Sequence, residues 1–425
     1  MTLCMVIPVK NSIEQLAVFS GQLAFAEKLH VGCPNIGNRE RLLGRINDAL
    51  DRKWLTNDGP FVREFEQRIV NMLGVKHCIA MCNGTVALEI AIRAVGLTGE
   101  VIVPSFTFIA TAHALRWQEI TPVFCDIDPR THTMDPCRVE ELITPRTTGI
   151  IGVHLWGRPC NVEALTDIAH CHNLQLLFDA AHAFGCSHHG QMIGKFGNAE
   201  IFSFHATKFI NTFEGGAIVT EDDELADKIR LMKNFGFDGY DDVIHLGTNG
   251  KMNEIAAAMG LTSLESFEEF RDITRQNYKT YHEQLAELPG ISLLTYDENE
   301  KCNYQYIILE IDEASTQISR DQLQKILWAE NVLARRYFYP GCHRMEPYRS
   351  YFPHAGLLLP ETEKLSERIL SLPTGTAVGL TEITAISQLI HLIVSHGPEV
   401  RKRMLDQLGN GEPALMVSET VSPHE

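Results

Sequence analysis

The chain of 425 residues lacks several features that would assign it to a large class at once. It has no excess of basic residues, because 37 Lys and Arg stand against 54 Asp and Glu, a formal charge of −17. This balance argues against a nucleic-acid-binding surface, so a phosphate-bearing ligand needs a local pocket. No apolar run reaches the roughly 18 residues of a membrane helix. The apolar start, residues 1–10, is short and has neither a basic lead-in nor a cleavage site, so we expect no signal peptide and no membrane association.

Paired cysteines are also missing. The 11 cysteines are scattered singly without a CxxC motif, which is typical of reduced thiols in the cytoplasm. Two places combine cysteine with histidine, namely Cys171 with His172 and Cys186 with His188 and His189. Neither has a second ligand pair at zinc-finger spacing. We therefore predict a cytoplasmic protein without a metal site.

From about residue 75, apolar segments that suit strands alternate with segments that suit helices. Strands are predicted at 76–81, 100–104, 122–126, 149–154, 174–179 and 216–220, and helices at 85–94, 110–117, 136–143 and 162–171. This alternation of nearly continuous apolar strands with helices predicts an α/β fold whose mostly parallel sheet is covered on both faces. In such folds ligands bind at the carboxyl ends of the strands.

The second half of the chain has a different pattern. Residues 253–288 look helical throughout, which we interpret as the crossing between two domains. A strand at 305–310 and helices at 320–330, 361–371 and 381–396 then predict a small α/β domain. The expected divisions are an N-terminal extension (1–30), a large domain (31–265), an interdomain helix with the small domain (266–405), and a disordered tail (406–425).

Lys208 is the candidate catalytic residue. It follows the apolar pair Ile201–Phe202 and hydroxylated side chains, and Gly215–Gly216 come after it. Most lysines lie in surface loops, but these neighbours indicate a tight, partly buried turn. A desolvated lysine has a lowered pKa and can act as a nucleophile and then as a proton carrier. Such a lysine suits the aldehyde of pyridoxal 5′-phosphate, PLP.

Other positions supply the further groups that PLP needs. Asp179 ends an apolar strand, where it is either an ordinary helix cap or the carboxylate that pairs with the pyridine nitrogen. Gly84 and Thr85 lie between a strand and a helix, where backbone amides either cap the helix or bind a phosphate. Ser203 would add a hydroxyl to that phosphate. Phe108 suits stacking on the pyridine ring, although core packing is the commoner role of such a residue.

Several motifs together resemble one enzyme family. They are Asp179–His182, Ser203–Lys208, Glu214–Gly216 and Leu246–Asn253, with the distant stretches Asn303–Ala314, Tyr339–Tyr348 and Leu370–Gly375. Over residues 30 to 400 the chain is similar to the nucleotide-sugar aminotransferases of the DegT/DnrJ/EryC1/StrS family. The resemblance implies a fold-type I PLP aminotransferase with a mostly parallel seven-stranded sheet and a small C-terminal α/β domain. It also implies a homodimer with active sites shared between its subunits.

The resemblance further implies roles for individual residues. Lys208 would form the Schiff base, Asp179 would hold the pyridine nitrogen, and His182 would lie near the cofactor's ring oxygen. The phosphate would be bound by Gly84, Thr85 and Ser203, and by Asn249 from the partner subunit, while Phe108 would cover the ring. The expected substrate residues are Thr56, Asn57, Lys251, Arg336, Tyr337 and His343.

By the same resemblance, the chain would transfer the amino group of L-glutamate to C4 of dTDP-4-keto-6-deoxy-D-glucose. The products would be dTDP-4-amino-4,6-dideoxy-D-glucose and 2-oxoglutarate. The His-Ala-Thr-Lys form of the lysine motif resembles the 4-aminotransferases, whereas 3-aminotransferases more often resemble Ser-Phe-Tyr-Pro-x-Lys. Amination at C3 or on another nucleotide sugar stays open.

Two other functions are weighed against the same residues. The family's dehydratases carry histidine in place of the lysine, so Lys208 argues against dehydration. A non-catalytic regulator that binds PLP or a sugar nucleotide remains an alternative, and the intact Lys208, Asp179 and Ser203 argue against it.

Overall fold

A computed structural model describes residue 7 and residues 9–409, with side chains as far as residue 407. The α-helices are α1 Arg39–Arg52, α2 Pro60–Leu73, α3 Gly84–Ala94, α4 Ile109–Arg116, α5 Pro136–Glu141, α6 Val162–Cys171, α7 Asp223–Met232, α8 Glu254–Glu265, α9 Phe267–Leu285, α10 Glu313–Thr316, α11 Arg320–Ala329, α12 Tyr348–Tyr351, α13 Pro360–Ser366, α14 Leu380–Ser395 and α15 Gly397–Gly409. Short 3₁₀ helices lie at Ile13–Gln15, Ala17–Phe19, Leu155–Gly157, Cys342–Arg344 and Ala355–Leu358.

The strands are β1 Leu29–His30, β2 His77–Met81, β3 Glu100–Pro104, β4 Thr121–Cys125, β5 Thr147–Val153, β6 Gln175–Asp179, β7 Ser187–His188, β8 Gln191–Met192, β9 Ala199–Ser203, β10 Gly216–Thr220, β11 Phe237–Asp238, β12 Asp242–Val243, β13 Ile291–Leu293, β14 Ile307–Ile311, β15 Val332–Leu333 and β16 Ile369–Leu372. Seven of them form the central sheet in the order β2-β10-β9-β6-β5-β3-β4. Only β10 runs antiparallel to its neighbours in this sheet, so the prediction of a mostly parallel seven-stranded sheet is confirmed.

Both faces of the sheet are covered by apolar packing. Ile79 and Ile218 belong to a cluster on one face, and Ala80 and Ala217 belong to a cluster on the other. This alternation follows from the two-residue period of a strand, with every position in the middle of the strand buried. Because both faces are closed, ligands can approach only at the strand ends.

Six of the seven strands of the central sheet have their carboxyl ends on the same side of the sheet, along the edge that these strand ends form. In the register of β2, β10 and β9, Met81, Gly216 and Ser203 lie side by side. The neighbouring β6 ends at Asp179, which pairs with Ile201. The residues predicted to hold the phosphate and the pyridine nitrogen therefore come from adjacent strands.

The helical stretch predicted at 253–288 is two helices rather than one. The chain turns at Ser266 (φ −101°, ψ 7°), between α8 and α9. Helix α8 is buried almost all round and packs on α1 and α2, whereas α9 has one buried face that packs on α14. Because of this break, α8 can pack on α1 and α2 while α9 packs on α14.

A second core, separate from the apolar clusters on the two faces of the central sheet, is built on the antiparallel sheet β13-β14-β16. The helix predicted at 361–371 is wrong in its second half, because α13 ends at Ser366 and residues 369–372 form β16. Ile369, Leu370 and Leu372 are fully buried there, and β16 pairs with β14 along its length. Burial and pairing with β14 have overridden the helical pattern.

The N-terminal segment packs into this second core. Ile13, Leu16 and Phe25 share its apolar cluster with α14, and β1 pairs in parallel with β15. The Lys10 ammonium contacts the buried Glu330 carboxylate at 2.6 Å.

The other end of the chain differs from the expected divisions. Helix α15 crosses the boundary predicted at residue 405 and continues to Gly409. Residues 410–425, predicted to be disordered, lie outside the described part of the chain, as do residues 1–6 of the apolar start. Among the helices of the described residues, none is long and apolar enough to cross a membrane.

Candidate active site

Asp179 is held inside the protein at the carboxyl end of β6. The residue is 6% exposed, and its backbone carbonyl accepts a hydrogen bond from His154 N at 2.9 Å. Thr111, in the first turn of α4, donates its hydroxyl to Oδ2 at 2.8 Å, and Ala181 N donates to Oδ1 at 3.1 Å. Burial raises the pKa of Asp179, against these two bonds and the charge of Lys208, which lower it. The carboxylate is therefore fixed in direction and placed where a cationic partner would stabilise it.

Lys208 lies in a tight turn after β9. Its N–H donates to His205 O at 2.8 Å, and the side chain is partly buried. Among the residues that the structure describes, none has a hydrogen bond to the Lys208 amine. Burial lowers the pKa of Lys208 to about 8, with the Asp179 carboxylate acting in the opposite direction. An appreciable share of the amine is therefore neutral near physiological pH, as a nucleophile requires.

Gly84, Thr85 and Ser203 form a cradle at the start of α3. Asn83 caps this helix by accepting Val86 N at 2.8 Å, which leaves the amides of Gly84 and Thr85 at the positive end of the helix. A Cβ at Gly84 would lie 2.9 Å from Ser203 Cβ, so only glycine lets the helix start approach the end of β9 this closely. Two amides and the Ser203 hydroxyl together suit a phosphate group.

His182 lies among aromatic side chains near the turn that carries Lys208. The residue is 6% exposed, and its ring stands 4.5 Å from Tyr306 and stacks at 5.8 Å on Phe338. Burial lowers the pKa of His182 well below its ordinary value, and the charge of Lys208 lowers it further. Trp156 N donates to His182 Nδ1 at 3.3 Å, so the neutral ring carries its proton on Nε2. His182 can therefore donate one hydrogen bond from Nε2.

Phe108 stands at the rim of the site rather than in the core. It precedes α4, its residue is 58% exposed, and its ring lies 6.5 Å from that of Phe338. This exposure contradicts core packing, the alternative weighed for this residue. The ring is free to cover a flat ligand above Asp179.

Asn249 and Lys251 lie along the outer edge of the central sheet. They flank Gly250, whose carbonyl accepts Cys82 N at 2.8 Å just before α3 begins. Asn249 is exposed, while Lys251 Nζ donates to Asn234 Oδ1 at 2.9 Å. The contact of Asn249 with a partner's phosphate stays a prediction.

The other predicted substrate residues fall in separate places. Thr56 and Asn57 lie in the exposed loop between α1 and α2. Tyr337 lines a pocket beside the Lys208 turn that Thr207 also lines. Arg336 donates to Asp321 Oδ1 at 3.2 Å. Of these four, Tyr337 is the one that the structure places beside the lysine turn.

His343, expected in the sugar-nucleotide pocket, is instead buried, with 2% exposure. Its Nδ1 lies 2.7 Å from Ser105 Oγ and its Nε2 lies 2.6 Å from Glu363 Oε1. Both ring nitrogens are therefore engaged within the protein. These contacts hold Ser105, which follows β3, and the contact of His343 with a substrate stays a prediction.

Sequence reasoning missed several residues of this site. Thr111 gave a weak signal, because it opens the helix after β3 and so lies near the carboxyl edge. Gln305, whose Nε2 donates to Thr207 O at 2.8 Å, and Tyr306 lie in the stretch Asn303–Ala314 that carries the family resemblance, which predicts no role for either residue. Tyr306 and Phe338 belong to an apolar cluster that also contains Trp156, and this packing of distant segments brings them to His182.

Comparison with known proteins gives the same family along most of the chain. Residues 37–391 match the family model described as the DegT/DnrJ/EryC1/StrS aminotransferase family. A dTDP-4-amino-4,6-dideoxy-D-glucose transaminase from Shigella dysenteriae is 40% identical over 315 residues, 74% of this chain and 86% of that protein. GDP-perosamine synthase from Caulobacter vibrioides is 36% identical over 384 residues, 85% of this chain and 98% of that protein.

A solved structure extends the likeness to the fold. The structure of DesI in the presence of its TDP-sugar product is 52% identical and superimposes with a TM-score of 0.89, covering 93% of this chain and 100% of that chain. The family match includes the turn that carries Lys208 and the strand that ends at Asp179. The chain belongs to the DegT/DnrJ/EryC1/StrS aminotransferase family.

Proposed function

We propose that this chain is a PLP-dependent sugar aminotransferase that moves the amino group of L-glutamate to C4 of dTDP-4-keto-6-deoxy-D-glucose. The products are dTDP-4-amino-4,6-dideoxy-D-glucose and 2-oxoglutarate. The observation that carries the proposal is the convergence of the Lys208 amine, the buried Asp179 carboxylate and the cradle at α3 on one edge of the sheet. The Shigella relative and the TDP-sugar product of DesI support the choice of sugar nucleotide.

The residues present fit PLP group by group. The cradle of Gly84, Thr85 and Ser203 offers amides and a hydroxyl to the phosphate. Asp179, oriented by Thr111, offers a carboxylate to a protonated ring nitrogen, which would offset the cost of burying that carboxylate. No other ligand class explains an amine, a carboxylate and an anion cradle in this arrangement as directly.

His182 and Phe108 complete the proposed contacts. His182 would donate its Nε2 proton to the ring oxygen, because its Nδ1 already accepts Trp156 N. Phe108 would cover the ring face from the rim of the site. Both contacts orient the ring without changing its charge.

Lys208 is the acid and base of the proposed reaction. PLP supplies an aldehyde that exchanges amines and a ring that stabilises the negative charge left when a neighbouring carbon loses its proton. With PLP bound, Lys208 Nζ would take the proton from the α-carbon of glutamate and would later deliver a proton to C4 of the sugar. A pKa of about 8 suits both directions, because at pH 7.5 about a quarter of the amine is neutral and can take a proton, while the rest is protonated and can give one.

The proposed active unit is a homodimer. Several large apolar side chains are exposed, including Trp54 and Leu55 in the loop between α1 and α2, Phe108 and Leu246. Such residues are costly to leave in water and favour burial against a second copy. Asn249 of each subunit would then reach the phosphate held by the other. Sedimentation equilibrium tests the dimer, and a monomer at micromolar concentration that retains full activity would contradict the shared site.

The decisive experiment is NMR of the product formed from dTDP-4-keto-6-deoxy-D-glucose, L-glutamate and PLP. An equatorial amine at C4 is the expected result, and Lys208→Ala and Lys208→Arg are expected to abolish turnover. An amine at C3 would move the assignment to a different reaction. Turnover by either lysine variant would remove Lys208 from the mechanism. Binding of PLP without any transamination would favour a regulator.

One alternative has an observation in its favour. GDP-perosamine synthase matches this chain over as great a share of its length as the dTDP-sugar enzymes do. A GDP-linked 4-keto sugar is therefore the competing substrate. The ratio of kcat/KM for the two nucleotide sugars decides between them.

A further inference from the structure

A cluster of two histidines and a glutamate lies outside the candidate active site. Glu163 is the second residue of α6, while His188 ends β7 and His189 begins the turn to β8. His188 Nε2 stands 3.1 Å from Glu163 Oε1 and 3.0 Å from Oε2, and His189 Nδ1 stands 3.2 Å from Oε1. We propose that Glu163, His188 and His189 bind one divalent transition-metal ion.

The spacing of the three ligand atoms suits a single ion. Metal–nitrogen and metal–oxygen distances of about 2.0–2.2 Å place neighbouring ligand atoms about 2.8–3.6 Å apart, the shorter values around an octahedral centre and the longer ones around a tetrahedral centre. The two distances from Glu163 Oε1, 3.1 and 3.2 Å, already lie in this range. All three ligand atoms lie within 4.8 Å of one another. Two imidazoles with one carboxylate favour zinc, nickel, copper or iron over calcium or magnesium.

The hairpin of β7 and β8 brings the two histidines to one place. His189 (φ +49°) and Gly190 (φ +75°) form its turn, which folds the rings of His188 and His189 into a stack with centroids 4.1 Å apart. The hairpin is held from its other side, because Glu300 accepts Gly190 N at 3.1 Å and the Ser187 hydroxyl. Binding an ion therefore requires little ordering of the backbone. The exposed His189 ring has to turn out of the stack, because a metal ion lies in the plane of each imidazole that binds it.

The three side chains of the cluster differ in their exposure to solvent. The side chains are 14% exposed at His188, 54% at Glu163 and 73% at His189. Water can complete the coordination, while His188 anchors the ion against the protein. An ion here would join α6 to the hairpin, so its expected effect is on stability rather than on transamination.

Local sequence could not reveal this site. The nearby Cys186 suggested a zinc ligand, but that thiol is buried. The third ligand comes from Glu163, 25 residues before His188, and only the packing of α6 beside the hairpin unites them.

The test uses His189→Asn, with Glu163→Gln as a second variant in case the first disturbs the turn. Asparagine tolerates the left-handed backbone of position 189 but removes the imidazole ligand. His172→Asn is the matched control, because His172 Nε2 also faces a glutamate, at 3.7 Å from Glu140 Oε1, without a third ligand.

Each holoenzyme, freed of its purification tag and of metals, is titrated with NiCl2 at pH 7.5 by calorimetry and melted with and without Ni2+. Wild type and His172→Asn are expected to bind one more Ni2+ per chain than His189→Asn and Glu163→Gln, or to bind it about tenfold more tightly or better. The same two proteins should gain melting temperature with Ni2+, and the cluster variants should not. Equal binding by all four proteins, or no binding by wild type at millimolar Ni2+, would overturn the proposal.

Discussion

The Lys208 amine should titrate near pH 8 in the protein freed of its cofactor. Its ordinary pKa is 10.5, and burial lowers it to about 8. At pH 7.5 an amine with a pKa of 8 is neutral in about one molecule in four, whereas an amine with a pKa of 10.5 is neutral in about one in a thousand. The structure therefore predicts about 200-fold more reactive amine at position 208 than at an exposed lysine.

This prediction is measured as the rate at which cofactor-free protein combines with PLP, followed by absorbance between pH 6 and 10. Only the neutral amine attacks the aldehyde, so the rate should rise with pH and level off above a midpoint near 8. Lys208→Ala gives the background from the other lysines. A midpoint close to 10.5 would refute the desolvation argument, because it would mean that solvent reaches the amine freely.

Asp179→Asn tests the electrostatic part of the same argument. The carboxylate raises the pKa of Lys208, so its removal should move the midpoint below that of the wild type, even though the variant loses transamination. Thr111→Val is the matched control, because it keeps the carboxylate and should keep the midpoint. An upward move in Asp179→Asn would contradict the charge assignment.

Three further substitutions test contacts that stabilise the candidate active site and the second core. Thr111→Val removes a hydrogen bond to a charged group, worth about 1.5–3 kcal/mol, and should lower kcat/KM by about 10- to 100-fold. Gly84→Ala places a methyl group 2.9 Å from Ser203 Cβ and should weaken PLP binding, measured by equilibrium dialysis. Glu330→Gln leaves the Lys10 charge buried without its partner and should lower the free energy of unfolding by about 3–5 kcal/mol, measured in urea.

Each of these three predictions has a result that would contradict it. Wild-type kcat/KM in Thr111→Val would mean that Asp179 is oriented by other contacts. Unchanged PLP affinity in Gly84→Ala would place the phosphate elsewhere. A Glu330→Gln protein as stable as the wild type would show that Lys10 reaches solvent when its partner is lost.

The sheet and its chemistry could be predicted because their signals are local. Each central strand is a short apolar run between turn residues, and Asp179 and Lys208 lie next to such runs. The position of Gly84 before a helix was readable for the same reason. Each of these residues lies close to the end of a strand or the start of a helix, and the neighbouring sequence predicts that element.

The missed features depend on contacts between distant segments. Residues 369–372 have a helical pattern, but pairing with β14 in a buried sheet determines their structure. His343 looked like a pocket residue until Ser105 and Glu363 engaged both its nitrogens. The break at Ser266 likewise depends on packing against two cores. The residues of these cores are too far apart in the sequence for a local pattern to reveal them.

The docking of the N-terminal segment has a consequence for how the protein is made. Leu16 and Ile390 belong to one apolar cluster, with almost the entire chain between them. At about 5–20 residues per second, a ribosome needs about 20 to 80 seconds to travel from the first to the second. The central sheet can assemble during that interval, but the segment that contains Ile13 and Leu16 has to wait, uncovered, until α14 is made. A nascent chain stalled before α14 should therefore be the form of this protein that chaperones hold most strongly.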